Sequence, residues 1–316
     1  MKPAPQDFLG THVSIAGGVE LAPRRGRMLG CSAIQIFTKS NRQWADRPLS
    51  EESARAFRSA MRECGIDAAI AHCTYLINPG AIDREIAERS IKALVDEIER
   101  CEMLGIPGLV AHPGSHLGAG ERRGIATIAK SVRAVLRRTR GCRAMVLLEN
   151  VAGQGTNLGH TWEQLAEMRD RIGVPERVGF CLDTCHAHAA GHDLRTPERY
   201  VEVMDAWDDV IGLEHIRAIH LNDSKQPLGS RRDRHEHIGR GELGLGAFHS
   251  LLNAPRFAGV PKVLETPKRD DGHEDRQNLR VLRRLIGAPA PPRRRPTWQT
   301  PEEIDSQWAA RMRKGQ

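Results

Sequence analysis

The stretch Gly179–Asp193 reads GFCLDTCHAHAAGHD, and it opens within a short apolar run, Val178–Leu182, with the length and composition of a buried strand. The run ends in Asp183, and His186 follows three residues later. A carboxylate at a strand tip and an imidazole just beyond it can offer two metal ligands from one turn of backbone. The same pair also reads as a helix N-cap followed by a surface histidine. The way the other strands of the chain end decides between the two.

Seven further apolar runs recur, at Leu9–Ile15, Ala33–Phe37, Ala68–His72, Gly108–His112, Met145–Glu149, Ala218–Leu221 and Lys262–Glu265. Helical patterns separate them. Ser50 precedes a stripe of Phe57, Ala60, Met61 and Cys64 that Gly65 stops. Ile91, Leu94, Val95 and Ile98 make a second stripe before Gly105, and Leu279, Leu282 and Ile286 a third before Gly287. Eight strand–helix alternations in about 280 residues match an α/β chain of (β/α)8, TIM-barrel type. A doubly wound open sheet is the competing architecture. Eight repeats with no strand left over favour the barrel, as a single domain over residues 1–287.

A barrel brings the C-terminal ends of its strands to one mouth. Here those ends are His12, the Thr38–Lys39 pair, His72, His112, Glu149, Asp183, His220 and Glu265. Each histidine alone could be an ordinary hydrogen-bonded residue; together they predict a polar, metal-filled mouth. Glu149, Asp183, His220 and Glu265 form an oxygen–nitrogen set suited to Zn2+, Mn2+ or Mg2+. His72 and His112 shift the balance toward Zn2+. Asp233 and His235, two apart in an extended loop, would point to one side and could join His186 around a further ion.

Composition sets the bounds. With 316 residues, 40% hydrophobic and 28% charged, the chain reads as soluble and globular. It lacks the roughly 18 consecutive apolar residues of a membrane span, and MKPAPQDFLG has no signal-peptide core. Seven scattered cysteines suggest reduced thiols and a cytoplasmic location, with Cys181 and Cys185 as small buried residues. The net charge of +7 is compatible with a polyanionic partner but weakly so, because residues 288–316 carry six Lys/Arg against three Asp/Glu.

The chain closely resembles the endonuclease IV family of apurinic/apyrimidinic (AP) endonucleases. The resemblance rests on GTHVSIAGG (Gly10–Gly18), FTKSNRQW (Phe37–Trp44), HCTYLINPG (His72–Gly80), AHPGSHLGAG (Ala111–Gly120), LLENVAGQGTNLG (Leu147–Gly159), GFCLDTCHAHAAGHDLRT (Gly179–Thr196), HLNDSK (His220–Lys225), DRHEHIGRGELG (Asp233–Gly244) and LETP (Leu264–Pro267). These motifs follow in order through residues 8–287. The resemblance implies a barrel with three zinc ions. His72, His112 and Glu149 would hold the first, Glu149 would bridge to a second held by Asp183, His220 and Glu265, and His186, Asp233 and His235 would hold the third. Three dications less four carboxylates and one hydroxide leave about +1, suited to one phosphodiester anion. The implied reaction is hydrolysis on the 5′ side of an abasic nucleotide in double-stranded DNA, leaving a 3′ hydroxyl. Its nucleophile is a hydroxide shared by the first two zincs, with Glu149, Glu265 and His112 as the catalytic group. Removal of 3′ blocking groups, and Mn2+ substituting at one site, belong to the same expectation.

An abasic nucleotide is cheap to flip, and a wedge can fill the gap it leaves. Arg42, Tyr75 and Leu76 match family positions that enter the DNA stack. Without the resemblance, Arg42 reads as a solvated charge and Tyr75 as a residue packed on its own loop. His188, His192, His116, His160, His215, His249 and His273 are expected to be ordinary, His192 as a loop-packing group. His12 would be a neighbour of the site, and His237 is the histidine most easily overlooked. The basic tail from Ala288 leaves the family pattern. It is expected to be extended, or partly helical through Ile304, Trp308 and Met312, with Arg293–Arg295 as an alternative DNA contact. A monomer without an obligate protein partner is the default. Two rivals stand beside this reading. A sugar isomerase on the same barrel would not require His72, His112 or the Asp233/His235 pair. A non-catalytic zinc-stabilised binder of distorted DNA would bind lesions without turnover.

Overall fold

A computed structural model describes residues 7–44, 46–269 and 271–291. Among them, the strands β1 (Leu9–His12), β2 (Ala33–Phe37), β3 (Ala68–His72), β4 (Gly108–Ala111), β5 (Met145–Glu149), β6 (Val178–Asp183) and β7 (Ile216–His220) run parallel. After a two-stranded ladder of β8 (Asp223–Ser224) and β9 (His235–Glu236), β10 (Lys262–Leu264) completes a closed barrel in the order β1-β10-β7-β6-β5-β4-β3-β2. Closure is made by β1 on β10, with Leu9 opposite Lys262 and Thr11 opposite Leu264. The (β/α)8 expectation therefore holds, and the open sheet is excluded.

The helices around the barrel are α1 (Ala22–Leu29), α2 (Glu51–Glu63), α3 (Arg84–Leu104), α4 (Glu121–Arg138), α5 (Trp162–Ile172), α6 (Thr184–Ala190), α7 (Pro197–Val210), α8 (Leu245–Asn253) and α9 (His273–Leu285). Their starts follow local chemistry. Ser50 accepts a hydrogen bond from the Ser53 amide at 3.1 Å, and Asp83 accepts one from Ile86 at 2.9 Å. Such N-caps are worth about 1 kcal/mol each. Gly105 ends α3 at φ 73°, a left-handed C-cap that suits glycine. The α9 stripe differs from expectation: the third buried position is Leu285, while Ile286 leaves the helix in an extended conformation and is 38% exposed.

Two packed layers follow from the two-residue period of a strand. One set of strand side chains, including Ile36, Leu109, Leu148, Phe180 and Ile219, packs with helix residues such as Phe57, Leu94, Val132, Leu165, Trp207 and Leu282. The alternate set, Ile70, Val110, Leu147, Cys181, Ala218 and Val263, forms a separate buried cluster. Two residues beyond these six stand His72, His112, Glu149, Asp183, His220 and Glu265. Each candidate ligand thus sits one pleat above an apolar residue that plugs the barrel.

Candidate metal centre and nucleic-acid face

Glu149 lies at the middle of the mouth, fully buried. Its Oε2 faces His72 Nε2 and His112 Nε2, each at 3.2 Å. Its Oε1 faces His220 Nδ1 at 2.9 Å and His186 Nδ1 at 3.3 Å. Glu265 Oε2 lies 3.3 Å from His220 Nδ1, and Asp183 Oδ2 lies 3.8 Å from it. On the far side, Asp233 Oδ2 is 3.2 Å from His186 Nε2, and Asp233 Oδ1 is 3.2 Å from His235 Nε2. His72, His112 and Glu149 make one group able to hold a divalent ion; Glu149, Asp183, His220 and Glu265 make a second; Asp183, His186 and His235 converge as a third.

His186 is buried and not at the surface, and Asp183 caps a helix and faces the mouth at once. Its Oδ1 caps α6 by accepting the His186 amide at 2.7 Å, while Oδ2 turns toward the mouth. The loop placing Asp233 and His235 is long, and β9 pairs His235 with Ser224 to bring it back to the barrel.

Four of the candidate imidazoles are anchored through one ring nitrogen. His72 Nδ1 donates to the Cys73 carbonyl at 2.7 Å, and His186 Nδ1 to the Asn150 carbonyl at 2.9 Å. His235 Nδ1 donates to the Glu265 carbonyl at 3.1 Å, and His220 Nε2 to Gln35 Oε1 at 2.8 Å. One N–H anchored leaves the other nitrogen a lone pair toward the carboxylates, the usual support of a metal-binding histidine. His235 Nε2 is buried and faces two carboxylates, Asp233 Oδ1 at 3.2 Å and Asp183 Oδ2 at 3.9 Å, surroundings that suit a divalent ion.

Electrostatics agree. Burial pushes the Glu149 and Glu265 carboxyls up, yet the facing imidazoles, His220 first, hold both well below the usual carboxylate range. Burial lowers His235, but the bond to Asp233 outweighs it and raises the imidazole to about 9. His72, His186 and His220 are likewise raised against burial by the groups they face. Without a divalent cation, protons take up the excess negative charge of the mouth.

Three supporting amides were not anticipated. Gln35 is the inward-facing residue of β2: its Nε2 donates to Glu265 Oε1 at 2.5 Å, and its Oε1 fixes His220. Asn150 brackets the Asp183 backbone, and Asn222 Nδ2 donates to Asp183 Oδ2 at 2.6 Å while its Oδ1 accepts the Glu265 amide. A lone glutamine in the apolar run AIQIF was the available signal. The Thr38–Lys39 pair, expected at the mouth, turns away from it: Lys39 is buried against α3, 2.7 Å from Asp96 and 3.8 Å from Glu97.

That contact positions the rim. Lys39 donates to the Trp44 carbonyl, Arg100 to the carbonyls of Thr38 and Arg47, and Glu97 accepts the Thr74 amide. One face of α3 thereby holds the loop that carries Arg42 and the loop that carries Tyr75. Arg42 is exposed, Tyr75 is 65% exposed and Leu76 38%. The Tyr75 ring stands 5.8 Å from both Phe37 and His72, so it overhangs the candidate ligands.

Three of the remaining histidines make ordinary contacts, whereas His188 is fully buried with neither ring nitrogen hydrogen-bonded. His192 stacks on Trp162 at 3.8 Å, His249 donates to the Ala288 carbonyl, and His237 accepts from Asn278 at 3.2 Å. His12 lies beside the site, 3.6 Å from Glu265. Cys181 and Cys185 are buried, and no disulfide forms among the described residues. The expectations for Arg293–Arg295, Ile304, Trp308 and Met312 lie outside the described residues. No helix among the described residues is long and apolar enough to cross a membrane.

Comparison with known proteins gives a consistent result. Residues 24–285 match the family model of the xylose isomerase-like TIM barrel. The chain is 48% identical over 277 residues to the probable endonuclease 4 of Chloroflexus aurantiacus, covering 88% of this chain and 97% of that one. It is 47% identical over 300 residues to the probable endonuclease 4 of Geobacter sulfurreducens, covering 95% and 99%. The crystal structure of endonuclease IV from Thermus thermophilus superposes with a TM-score of 0.78 at 39% identity, covering 88% of this chain and 98% of that one. With that identity sustained along the barrel, the chain belongs to the endonuclease IV family.

Proposed function

We propose that this chain is a DNA repair enzyme that hydrolyses the phosphodiester 5′ to an abasic nucleotide in double-stranded DNA, leaving a 3′ hydroxyl, and that it also removes blocking groups from 3′ ends. Its cofactors in this reading are three zinc ions, with Mn2+ able to replace one. The observation that carries the reading is the division of Glu149, whose two oxygens serve separate pairs of imidazoles.

His72, His112 and Glu149 would hold one ion; Glu149, Asp183, His220 and Glu265 a second; His186, Asp233 and His235 a third. Bound there, divalent cations supply Lewis acidity toward a phosphoryl oxygen and lower the pKa of water to about 7. The chain's own groups do the rest. Gln35, Asn150 and Asn222 keep Glu265, Asp183 and His220 oriented, so little reorganisation is needed as charge develops on the phosphate. Glu149, Glu265 and His112 are the residues assigned to the reacting centre. Tyr75 and Leu76, apolar and exposed at the rim, suit the gap left by a missing base, with Arg42 on the adjoining loop. The imidazole-rich first and third groups support a nuclease over a sugar isomerase, for which the Glu149, Asp183, His220 and Glu265 group would suffice.

Cytoplasmic location, supported by seven unpaired cysteines, and a monomeric state as the default complete the proposal. The test is a duplex oligonucleotide with one abasic analogue. Zinc-loaded chain should incise it on the 5′ side and leave a 3′ hydroxyl, and a chelator should stop the reaction. Intact substrate with metal-loaded chain refutes the assignment, and lesion binding without incision favours the non-catalytic binder.

A further inference from the structure

Between the last strand-seven ligand and the metal-bearing loop lies a buried carboxylate with no part in the site itself. Asp223 is 0% exposed and accepts four main-chain hydrogen bonds. Oδ1 takes the amides of Ser224 at 2.8 Å and Leu243 at 3.0 Å. Oδ2 takes those of Gly239 at 2.9 Å and Gly241 at 3.0 Å. Residues 225–238 are therefore tied at both ends, with Asp223 at the entry and its bonding partners at the exit. Inside the tie lie Asp233 and His235.

We infer that Asp223 is the positioning residue for the third ion: its carboxylate clasps the return of the 225–243 loop and so sets Asp233 and His235 against His186. The inference rests on the three-ion reading above.

A carboxylate suits this task because its two oxygens offer about four acceptor sites and no donor. Asparagine has one acceptor oxygen, and its amide would set N–H groups against two of the four main-chain donors. The loop is also shaped to the clasp. A Cβ added at Gly241 would lie 2.3 Å from the Ser224 carbonyl oxygen and 2.5 Å from Asp223 Oδ1, so any side chain there forces the clasp apart. Other ties act beside it. The amides of Gly229 and Arg231 bond to carbonyls at the end of α6 and fix the outer part of the loop. The β8–β9 ladder, the Lys225 amide on the Arg234 carbonyl and the Ile238 amide on Asn278 Oδ1 also hold its return. Among the described residues, Asp223 is the one side chain that gathers four amides from both ends of the loop. Support of this kind around metal ligands is worth about 10–100-fold in affinity.

Asp223→Asn and Gly241→Ala disturb the clasp from opposite sides without touching a ligand. The full chain and both variants are loaded with zinc, desalted, and analysed for metal per chain and for the rate of zinc loss to a chelator. The parent should hold three ions, and each variant should lose one of them at least tenfold faster while retaining the other two. Circular dichroism and cooperative melting should persist, and amide exchange should accelerate at Gly239, Gly241 and Leu243. Variants that keep three ions with parental release rates overturn the inference alone. A parent that takes up fewer than three overturns the three-ion reading and this inference with it. Global unfolding of both variants also overturns it, because the clasp would then support the whole fold instead of one site.

Discussion

Glu149→Gln is the substitution that most directly tests the centre. The side chain keeps its shape but loses its charge, and four imidazole nitrogens lie within 3.3 Å of its two oxygens. Those nitrogens come from all three ligand groups, but Glu149 is itself a member of the first two only, so the change weakens two ion sites together. An amide also turns a donor toward one imidazole pair. The Lewis-acid contribution of bound ions is several kcal/mol; a loss of about 4 kcal/mol lowers kcat/KM about 1000-fold. Metal content should fall from three to about one per chain. Glu265→Gln is the contrast, since that carboxylate faces His220 and Gln35 within one group and should remove a single ion. The assay is metal per chain beside incision of an abasic-analogue duplex. Glu149→Gln chain with three ions, or activity within tenfold of the parent, would refute the bridging role.

Three further outcomes are expected. The ion-free chain carries a proton on His235, raised to about 9 from 6.5, so zinc uptake near neutral pH should release protons and strengthen as pH rises through that window. For the same reason, the stability that this pair lends the ion-free chain is present below 6.5 and is lost as pH rises through about 9. Calorimetry in buffers of different ionisation enthalpy reads the protons, and a buffer-independent heat would contradict the reasoning. Tyr75→Ala should weaken lesion binding by about tenfold, from a stacking contribution of roughly 1–3 kcal/mol, with kcat nearly unchanged; a fall in kcat with constant affinity would place Tyr75 elsewhere in the reaction. Deleting residues 288–316 should leave the salt dependence of DNA binding as it was, whereas a log–log slope shallower by about 3 would show three phosphate contacts from Arg293–Arg295.

Reading residues in order was enough to establish the alternation of strand and helix, the caps at Ser50 and Gly105, and the strand tips at which ligands could stand. These are local or periodic properties: a two-residue pleat places Glu149 above Leu147 and His220 above Ala218 whatever the neighbouring strands do. The family motifs then assigned the tips to a common chemistry. Which atoms meet is a property of the closed barrel. Closure of β1 on β10 joins residues about 250 positions apart and brings Gln35 between Glu265 and His220. The carboxylates of α3 likewise draw Lys39 away from the mouth, although Lys39 follows the strand that holds Gln35. The choice of tautomer at His72, His186, His220 and His235 belongs to this second class, because each is set by a carbonyl or amide whose position comes from the folded backbone. Sequence periodicity states which side of a strand a residue faces. It does not state what lies opposite, and a metal centre is made by what lies opposite.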